Sequence, residues 1–335
     1  MTNIIDIGVL PYTNKLDERF MFPFSQLNYL LNGGVLNRVT LIASGTDNGK
    51  STLSSQIIAE IVKQGYNCCC FFGEDTLRES QERIYKQVLG KNEELTYYKT
   101  YQVNGKDTNT GEYVLTEQGY NIAKNIFNHK LFLYDTNAST KVDDLLKGFD
   151  EARIKYNCRV FLLDNCDQFD LDVSGDNENT ELKRAIIKIR DYAINNEVHI
   201  FLVCHLRKIP RDIILPELND IKGTSSIVNI SKNIMIVLRT DKMNKLSKQY
   251  QSLKKLVDLN GYNLDDADCL IAVEKTKGRK IGFVALKFNK KSNCYYDMQK
   301  NDNATSEKVE IVMPDTESKY SRMEMIEVDD ISLPF

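Results

Sequence analysis

Short apolar runs alternate with helix-compatible stretches through the first part of the chain. The apolar runs have the length of buried strands, and we predict strands at 39–43, 67–73, 131–134, 160–163 and 198–204. The stretches between them have helical length, and we predict helices at 53–63, 77–89, 142–156 and 180–196. Because such alternation is typical of βαβ units, the pattern predicts an α/β fold with a mostly parallel sheet and helices on both faces.

The pattern changes towards the end of the chain. Three further apolar runs are not separated by crossover helices of standard form, and they lie at 234–238, 269–274 and 282–288. They predict an antiparallel C-terminal extension of the same sheet. Two polar segments, 91–119 and 242–268, are predicted to be surface insertions, the second with a short helix through 246–257.

A phosphate-binding loop is indicated between the first predicted strand and the first predicted helix. Residues 44–52 have the sequence Ser-Gly-Thr-Asp-Asn-Gly-Lys-Ser-Thr. In this motif, backbone N–H groups and a helix N-terminus converge on phosphates, while the lysine reaches the β and γ oxygens and the next hydroxyl reaches Mg²⁺. The full motif has glycine where this chain has serine at its first position, but the glycine that follows can supply the turn. The predicted nucleotide contacts are Ser44, Gly45, Asn48, Gly49, Lys50, Ser51 and Thr52.

Polar residues stand directly after three other predicted strands, where open α/β sheets bind their ligands. Asp164 is predicted to hold Mg²⁺ through its water shell. Glu74, at the end of a strand that we place beside the phosphate-loop strand, is predicted to orient and deprotonate the attacking water. Asp75 is its rival, and a helix N-cap is the alternative role for either. His205 could sense the γ-phosphate, although a lone histidine is more often a packing residue.

Composition and charge narrow the class of protein. The chain has 335 residues, of which 42% are hydrophobic, and this share is ample for a core. Its eight cysteines include no C-x-x-C pair and lie mostly in apolar runs, so we expect core residues rather than a structural zinc site. No segment has the pattern of a membrane span or an export signal, which predicts a cytoplasmic protein. The formal net charge is −3, but residues 302–335 carry nine acidic and three basic side chains, so the rest of the chain is mildly basic.

Eight short segments of this chain occur in the same order in a known family. They are Gly33-Gly34, residues 44–52, Phe72-Gly73-Glu74, Leu133-Tyr134-Asp135, Leu162-Leu163-Asp164-Asn165, Cys204-His205-Leu206-Arg207, residues 220–225 and Glu274-Lys275-Thr276-Lys277. From about Phe22 to Tyr296 the chain resembles hexameric replicative DNA helicases of the DnaB and Twinkle type, most closely the helicase half of phage primase-helicases. The phage members are similar in having serine at the position of Ser44 and histidine at the position of His205.

The resemblance implies a RecA-like P-loop NTPase core and the function of an ATP-dependent DNA helicase. Such a helicase forms a ring and holds Mg-ATP between adjacent subunits. It translocates 5′-to-3′ on single-stranded DNA and unwinds forked duplex DNA. In the family a Lys-x-Arg finger reaches the neighbour's γ-phosphate, whereas this chain has Lys275-Thr276-Lys277 followed by Gly278-Arg279-Lys280. Either Lys277 serves as a weaker finger, because lysine lacks the planar fork of arginine, or Arg279 shares the role. A solvated basic hairpin is the alternative.

Two further assignments follow from the resemblance. Phe288 stands where phage members have an aromatic residue near the nucleotide base, so it could stack on adenine or simply pack in the core. The segment 206–222 matches the loop that lines the central channel, and its cations are predicted to contact DNA phosphates: Arg207, Lys208, Arg211 and Lys222. Three acidic residues dilute this charge, so a solvated surface loop is the alternative. The loop contains no aromatic residue, which favours backbone tracking over base stacking.

The sequence predicts three parts and leaves some functions open. We expect a short N-terminal arm at 1–21, a RecA-like helicase ATPase domain at 22–300 and an acidic, disordered C-terminal tail at 301–335. The tail could recruit a polymerase, primase or other replication protein, or it could only improve solubility. Two other functions fit the residues: a RecA-like recombinase and a ring-shaped ATP-binding adaptor with weak hydrolysis.

Overall fold

The computed structural model describes residues 17–90, 92–103, 105–171, 178–207, 215–222, 225–259, 261–276 and 281–298. The predicted acidic tail and most of the predicted N-terminal arm lie outside these residues. The strands, in chain order, are β1 (Arg19–Phe20), β2 (Gly34–Val35), β3 (Arg38–Ser44), β4 (Asn67–Phe72), β5 (Thr96–Val103), β6 (Lys106–Leu115), β7 (Leu131–Leu133), β8 (Cys158–Asp164), β9 (His199–His205), β10 (Asn233–Arg239), β11 (Cys269–Lys275), β12 (Gly282–Asn289) and β13 (Cys294–Asp297). The helices are α1 (Ser25–Leu31), α2 (Lys50–Lys63), α3 (Leu77–Val88), α4 (Glu117–Phe127), α5 (Val142–Tyr156), α6 (Glu178–Asn195), α7 (Ser225–Ile230) and α8 (Lys248–Leu259).

A large central sheet organises the described part of the chain. Its nine strands follow the order β13-β12-β11-β10-β3-β9-β8-β4-β7. All neighbours from β10 to β7 are parallel, whereas β10, β11, β12 and β13 pair antiparallel in succession. The predicted parallel sheet with an antiparallel C-terminal extension is therefore confirmed.

Two details of the predicted sheet are wrong. The sequence places β10 in the antiparallel extension, but β10 pairs in parallel with β3, so the extension begins only at β11. In its described part, the connection from β9 to β10 contains as α-helix only the six-residue α7, and so short a helix gives no recognisable crossover pattern. The sequence also places β4 beside β3, but β9 and β8 lie between them. The lengths of apolar runs do not encode the order in which crossovers place the strands.

Apolar side chains on the two faces of the sheet pack against different helices. Along β3, Val39 and Leu41 belong to a core cluster with α5, α6 and α8, whereas Ile42 belongs to a second cluster with α1, α2, α3 and α4. This division follows from the alternation of side chains along a strand. The predicted covering of both faces by helices is confirmed. All eight cysteines are buried free thiols, as predicted for core residues.

The first polar segment lies largely at the surface as predicted, whereas the second buries Tyr250, Leu253 and Val257 of α8 in the core. The first contains the antiparallel hairpin of β5 and β6, which exposes Tyr97, Tyr98 and Tyr101. The sequence does not predict this hairpin, because its polar strands lack a regular apolar alternation. The second contains α8, close to the short helix predicted there. Within the described residues, no helix is both long and apolar enough to cross a membrane.

Candidate nucleotide site at the carboxyl edge of the sheet

The predicted phosphate loop connects the end of β3 to the start of α2. Ser44 is fully buried, and its hydroxyl donates to the carbonyl of Gly45 at 2.9 Å. Gly49 precedes α2 with φ +80°, and no side chain caps the helix there. The first N–H groups of α2 therefore have no side-chain acceptor, which is the arrangement that receives a phosphate.

Glycine is required at Gly49 for two reasons. A side chain at φ +80° would be strained, and a Cβ atom at this position would lie 2.2 Å from Oη of Tyr295. Tyr295 belongs to β13, so a side chain from this edge strand of the sheet packs against the phosphate loop at Gly49. Its ring lies 5.1 Å from that of Phe288, between centroids. Phe288 thus packs partly in the core beside the loop, in a position compatible with both of its predicted roles.

Lys50 places a buried ammonium group in this site. Its side chain is only 7% exposed, and Nζ lies 3.8 Å from Oε2 of Glu74. A buried ammonium group needs a nearby anion, because its desolvation is costly without one. Glu74 is the carboxylate paired with it here, although Glu74 itself is 46% exposed. A phosphate group would be a second anionic partner of the kind that this lysine requires.

Asp164 ends β8 under the start of α2. The Ser54 hydroxyl donates to Oδ2 of Asp164 at 3.2 Å, and the Ser51 hydroxyl is near enough to this carboxyl group to lower its pKa. Burial raises the pKa of Asp164, while these hydroxyls and the charges of Lys50 and Arg83 partly oppose the rise. A buried carboxylate next to a hydroxyl is a suitable donor set for Mg²⁺, which takes one or two carboxylates and completes its shell with water and phosphate. The residues present therefore fit the predicted metal.

Three side chains meet where β4, β8 and β9 end. Nδ2 of Asn165 donates to Oε1 of Glu74 at 2.6 Å, and Nε2 of His205 lies 3.2 Å from the same oxygen. The Asn165 amide cannot be reversed without loss, since its Oδ1 accepts from the backbone N–H of Asp167 at 2.9 Å. Because Oε1 can only accept, we assign the hydrogen to Nε2 of His205. Glu74 is therefore held by two donors on one oxygen.

The environment of Glu74 favours its ionised form. Burial raises its pKa, but the hydrogen bonds from Asn165 and His205 and the charge of Lys50 lower it more, so the pKa of Glu74 is below its ordinary value. The group is a carboxylate at neutral pH and can accept a proton. Its position next to Lys50 also places it where the terminal phosphate of a bound nucleotide is expected.

Asp75, the rival of Glu74, is engaged elsewhere. Its Oδ2 lies 2.7 Å from Nη2 of Arg83 on α3. The helix that follows begins with Thr76 as N-cap, in a capping box with Glu79. Neither acidic residue is therefore the N-cap, and only Glu74 faces Lys50.

His205 connects this cluster to the loop predicted to bind DNA. Leu206 and Ile221 form an antiparallel bridge, the N–H of Arg207 donates to Asp220 O at 2.6 Å, and the N–H of Lys222 donates to His205 O at 2.8 Å. The base of the loop is therefore bonded to the backbone at the strand end. Lys208 and Arg211, as well as the finger candidates Lys277 and Arg279, lie outside the described residues.

Asn165 is the residue of this cluster to which the sequence assigns no role. It follows Asp164 directly at a strand end, and that position is the available signal. Asn165 is fully buried and contacts both Glu74 and His205, whose Nε2 lies 3.3 Å from its Nδ2. It is the side chain that links the two other strand ends.

Comparison with known proteins gives the family and the fold. The family model described as DnaB-like helicase C terminal domain matches residues 21–297. The DNA helicase/primase of Enterobacteria phage T3 is 24% identical over 210 residues, which cover 60% of this chain and 35% of that protein. The chain thus spans about a third of the length of this relative.

Several solved structures are similar to this chain. A DnaB-like replicative helicase, studied with its interactions with primase, has a TM-score of 0.64 at 13% identity and covers 83% of this chain and 63% of its own. A solved ATPase domain has a TM-score of 0.63 at 13% identity, over 83% of this chain and 90% of its own. A KaiC-like protein from Pyrococcus horikoshii OT3 has a TM-score of 0.55 at 12% identity, over 85% and 100% respectively. At these identities the likeness shows the fold alone, and the RecA-like ATPase fold is confirmed.

Proposed function

Because this chain belongs to the family of DnaB-like helicase C-terminal domains, we propose that it is an ATP-dependent replicative DNA helicase. The observation that carries the proposal is the convergence of Lys50, Asp164, Glu74 and His205 at one edge of the sheet. Each comes from the end of a strand or from the helix that follows the phosphate loop. This is the set of groups that phosphoryl transfer to water needs: a cation, a metal ligand, a base and a donor near the terminal phosphate.

The roles follow from the environment of each side chain. Lys50 and the uncapped N–H groups of α2 bind the β and γ phosphates of ATP. Ser51 and Asp164 would hold Mg²⁺, whose charge would neutralise the phosphate oxygens. Glu74, already ionised, accepts a proton from the attacking water. His205 donates from Nε2 and is placed to respond when a γ-phosphate is bound.

Movement on DNA would originate at the loop that follows His205. The backbone of Lys222 is bonded to His205, so a shift of the strand end is passed to the base of this loop. In a ring, Arg207, Lys222 and the loop cations outside the described residues line a channel for the phosphates of one strand. Basic residues of segment 275–280 would complete the site of the neighbouring subunit, with Lys277 or Arg279 as the finger. Hexamer formation, forked DNA as substrate and recruitment through residues 301–335 belong to this proposal.

One set of measurements on the full chain tests the function. We expect ATP hydrolysis that single-stranded DNA stimulates, displacement of a strand from a forked duplex, and a native mass several times that of one chain. Lys50→Ala is the reference for background hydrolysis. A wild-type rate equal to that of K50A would instead favour a nucleotide-binding adaptor. Pairing of homologous strands without displacement would favour a recombinase.

A further inference from the structure

An ion pair joins the DNA-facing loop to the turn behind the nucleotide site. Nζ of Lys222 lies 2.8 Å from Oδ2 of Asp167. Asp167 belongs to a short 3₁₀ turn, Cys166–Gln168, which starts directly after Asn165. The lysine side chain is 48% exposed and the aspartate side chain 22%, so the pair can be reached from solvent. The pKa of Lys222 is raised, chiefly by its hydrogen bond to Asp167.

The same turn fixes the amide that holds Glu74. The backbone N–H of Asp167 donates to Oδ1 of Asn165 at 2.9 Å. This bond orients the buried amide, so that its Nδ2 donates to Glu74 at 2.6 Å. The hydrogen bond from Asn165 to Glu74 therefore depends on the position of the Asp167 backbone.

A carboxylate and a phosphate are competing partners for one ammonium group. Lysine binds either as a point charge and can exchange them without a particular geometry. The backbone N–H of Lys222 donates to His205 O, so this bond does not use the side chain that would exchange partners. A DNA phosphate that takes Lys222 away from Asp167 would leave that carboxylate without its anchor on the loop.

We propose that Asp167 is a positioning residue that couples DNA binding to the activity of Glu74. It holds Lys222 in place of a phosphate when DNA is absent, and its turn keeps the Asn165 amide on Glu74. When a phosphate takes Lys222, the turn relaxes and the amide releases Glu74, whose carboxylate becomes a stronger base for water. This inference rests on the proposed function, since it explains how single-stranded DNA stimulates hydrolysis.

Two substitutions that break the same ion pair give opposite effects on DNA affinity. Asp167→Asn frees Lys222, so a labelled oligothymidylate should bind about 2- to 5-fold more tightly, the range expected for an exposed pair. Lys222→Met removes the cation, so the oligonucleotide should bind more weakly and with a shallower salt dependence. In the absence of DNA, both variants should hydrolyse ATP faster than wild type. Added DNA should stimulate their hydrolysis less than it stimulates that of wild type. The charge-swapped double variant, D167K with K222D, should return DNA-free hydrolysis to the wild-type rate.

A second ion pair provides the matched control. Nζ of Lys188 on α6 lies 2.8 Å from Oδ1 of Asp143 on α5, and both side chains are exposed. Asp143→Asn and Lys188→Met remove a pair of the same length that joins two helices and includes no residue of the loop or of the 166–168 turn. Both control variants should leave oligonucleotide affinity and DNA-free hydrolysis at their wild-type values.

The outcomes separate this inference from the proposed function. If wild-type hydrolysis responds to DNA while D167N and K222M keep wild-type DNA-free rates and stimulation, the coupling is overturned and the helicase function stands. D167N binding the oligonucleotide no more tightly than wild type would also overturn it. If wild type hydrolyses ATP no faster than K50A, the proposed function fails. Even in that case, tighter oligonucleotide binding by D167N and weaker binding by K222M would support exchange of Lys222 between Asp167 and phosphate, because DNA binding needs no hydrolysis.

Discussion

Replacing Gly49 by alanine should destabilise the protein through one identified contact. The residue has φ +80°, and an alanine in the left-handed region costs about 1–2 kcal/mol. Its Cβ atom would lie 2.2 Å from Oη of Tyr295, whereas 3.4 Å is the start of ordinary contact, so one of the two groups must move by about 1.2 Å. Overpacking of this kind costs about 1–3 kcal/mol. The expected loss of unfolding free energy is therefore about 2–5 kcal/mol.

A second substitution isolates the clash from the backbone strain. Tyr295→Phe removes Oη, and the next ring atom, Cζ, is 3.4 Å from the position that the alanine Cβ would take, which is an ordinary contact. The double variant G49A/Y295F should keep only the backbone cost. The coupling free energy between the two positions should be at least about 1 kcal/mol, well above the deviation of independent sites.

The matched control is a glycine with strain but no clash. Gly65 has φ +96°, and a Cβ atom there would meet nothing within 4 Å. Gly65→Ala should lose about 1–2 kcal/mol. Stability is measured by urea unfolding with circular dichroism, because the chain has no tryptophan. Additive losses in G49A and Y295F, or G49A no less stable than G65A, would refute the packing of Tyr295 against the loop.

Three further predictions concern titrating groups. Glu74→Gln should retain ATP binding but lower the turnover number by about 10²- to 10⁴-fold, since it removes the proposed general base; a turnover number within tenfold of wild type would contradict that role. Asn165→Ala removes a hydrogen bond that lowers the pKa of Glu74, so the acidic limb of the pH–rate profile should move to higher pH. If the acidic limb does not move, the ionisation of Glu74 is not what sets this limb of the profile. Glu274 has a pKa raised to about 7 by burial and by the charge of Glu217, so the folded protein binds its proton more tightly than the unfolded chain. Stability should therefore fall as pH rises from about 4.5 through 7, and urea midpoints of Glu274→Gln should lack this part of the decline.

Much of the fold can be predicted because buried strands and amphipathic helices leave a periodic pattern. The sequence predicts helix α5 with the bounds that the structure has, since its apolar residues recur at helical spacing between two apolar runs. The β5–β6 hairpin cannot be predicted in this way. Its strands are largely exposed, so no apolar alternation marks them. The parallel pairing of β10 is also hidden, because strand direction depends on a connection whose described helix has only six residues.

The error in strand order also explains why the sequence does not single out Asn165. With β4 beside β3, Glu74 would face Lys50 across one strand spacing of about 4.8 Å, and no residue would be needed between them. In the observed order β3-β9-β8-β4, the strand that ends before Asn165 lies between those that carry Glu74 and His205. Side chains from the two outer strands must then reach across the middle strand end to meet. A buried amide at that end can bond Glu74 and lie against His205, because its Nδ2 faces both while its Oδ1 accepts from the backbone N–H of Asp167. Strand order therefore determines which residue holds Glu74, and that order is a tertiary property of the crossovers rather than of any local run of residues.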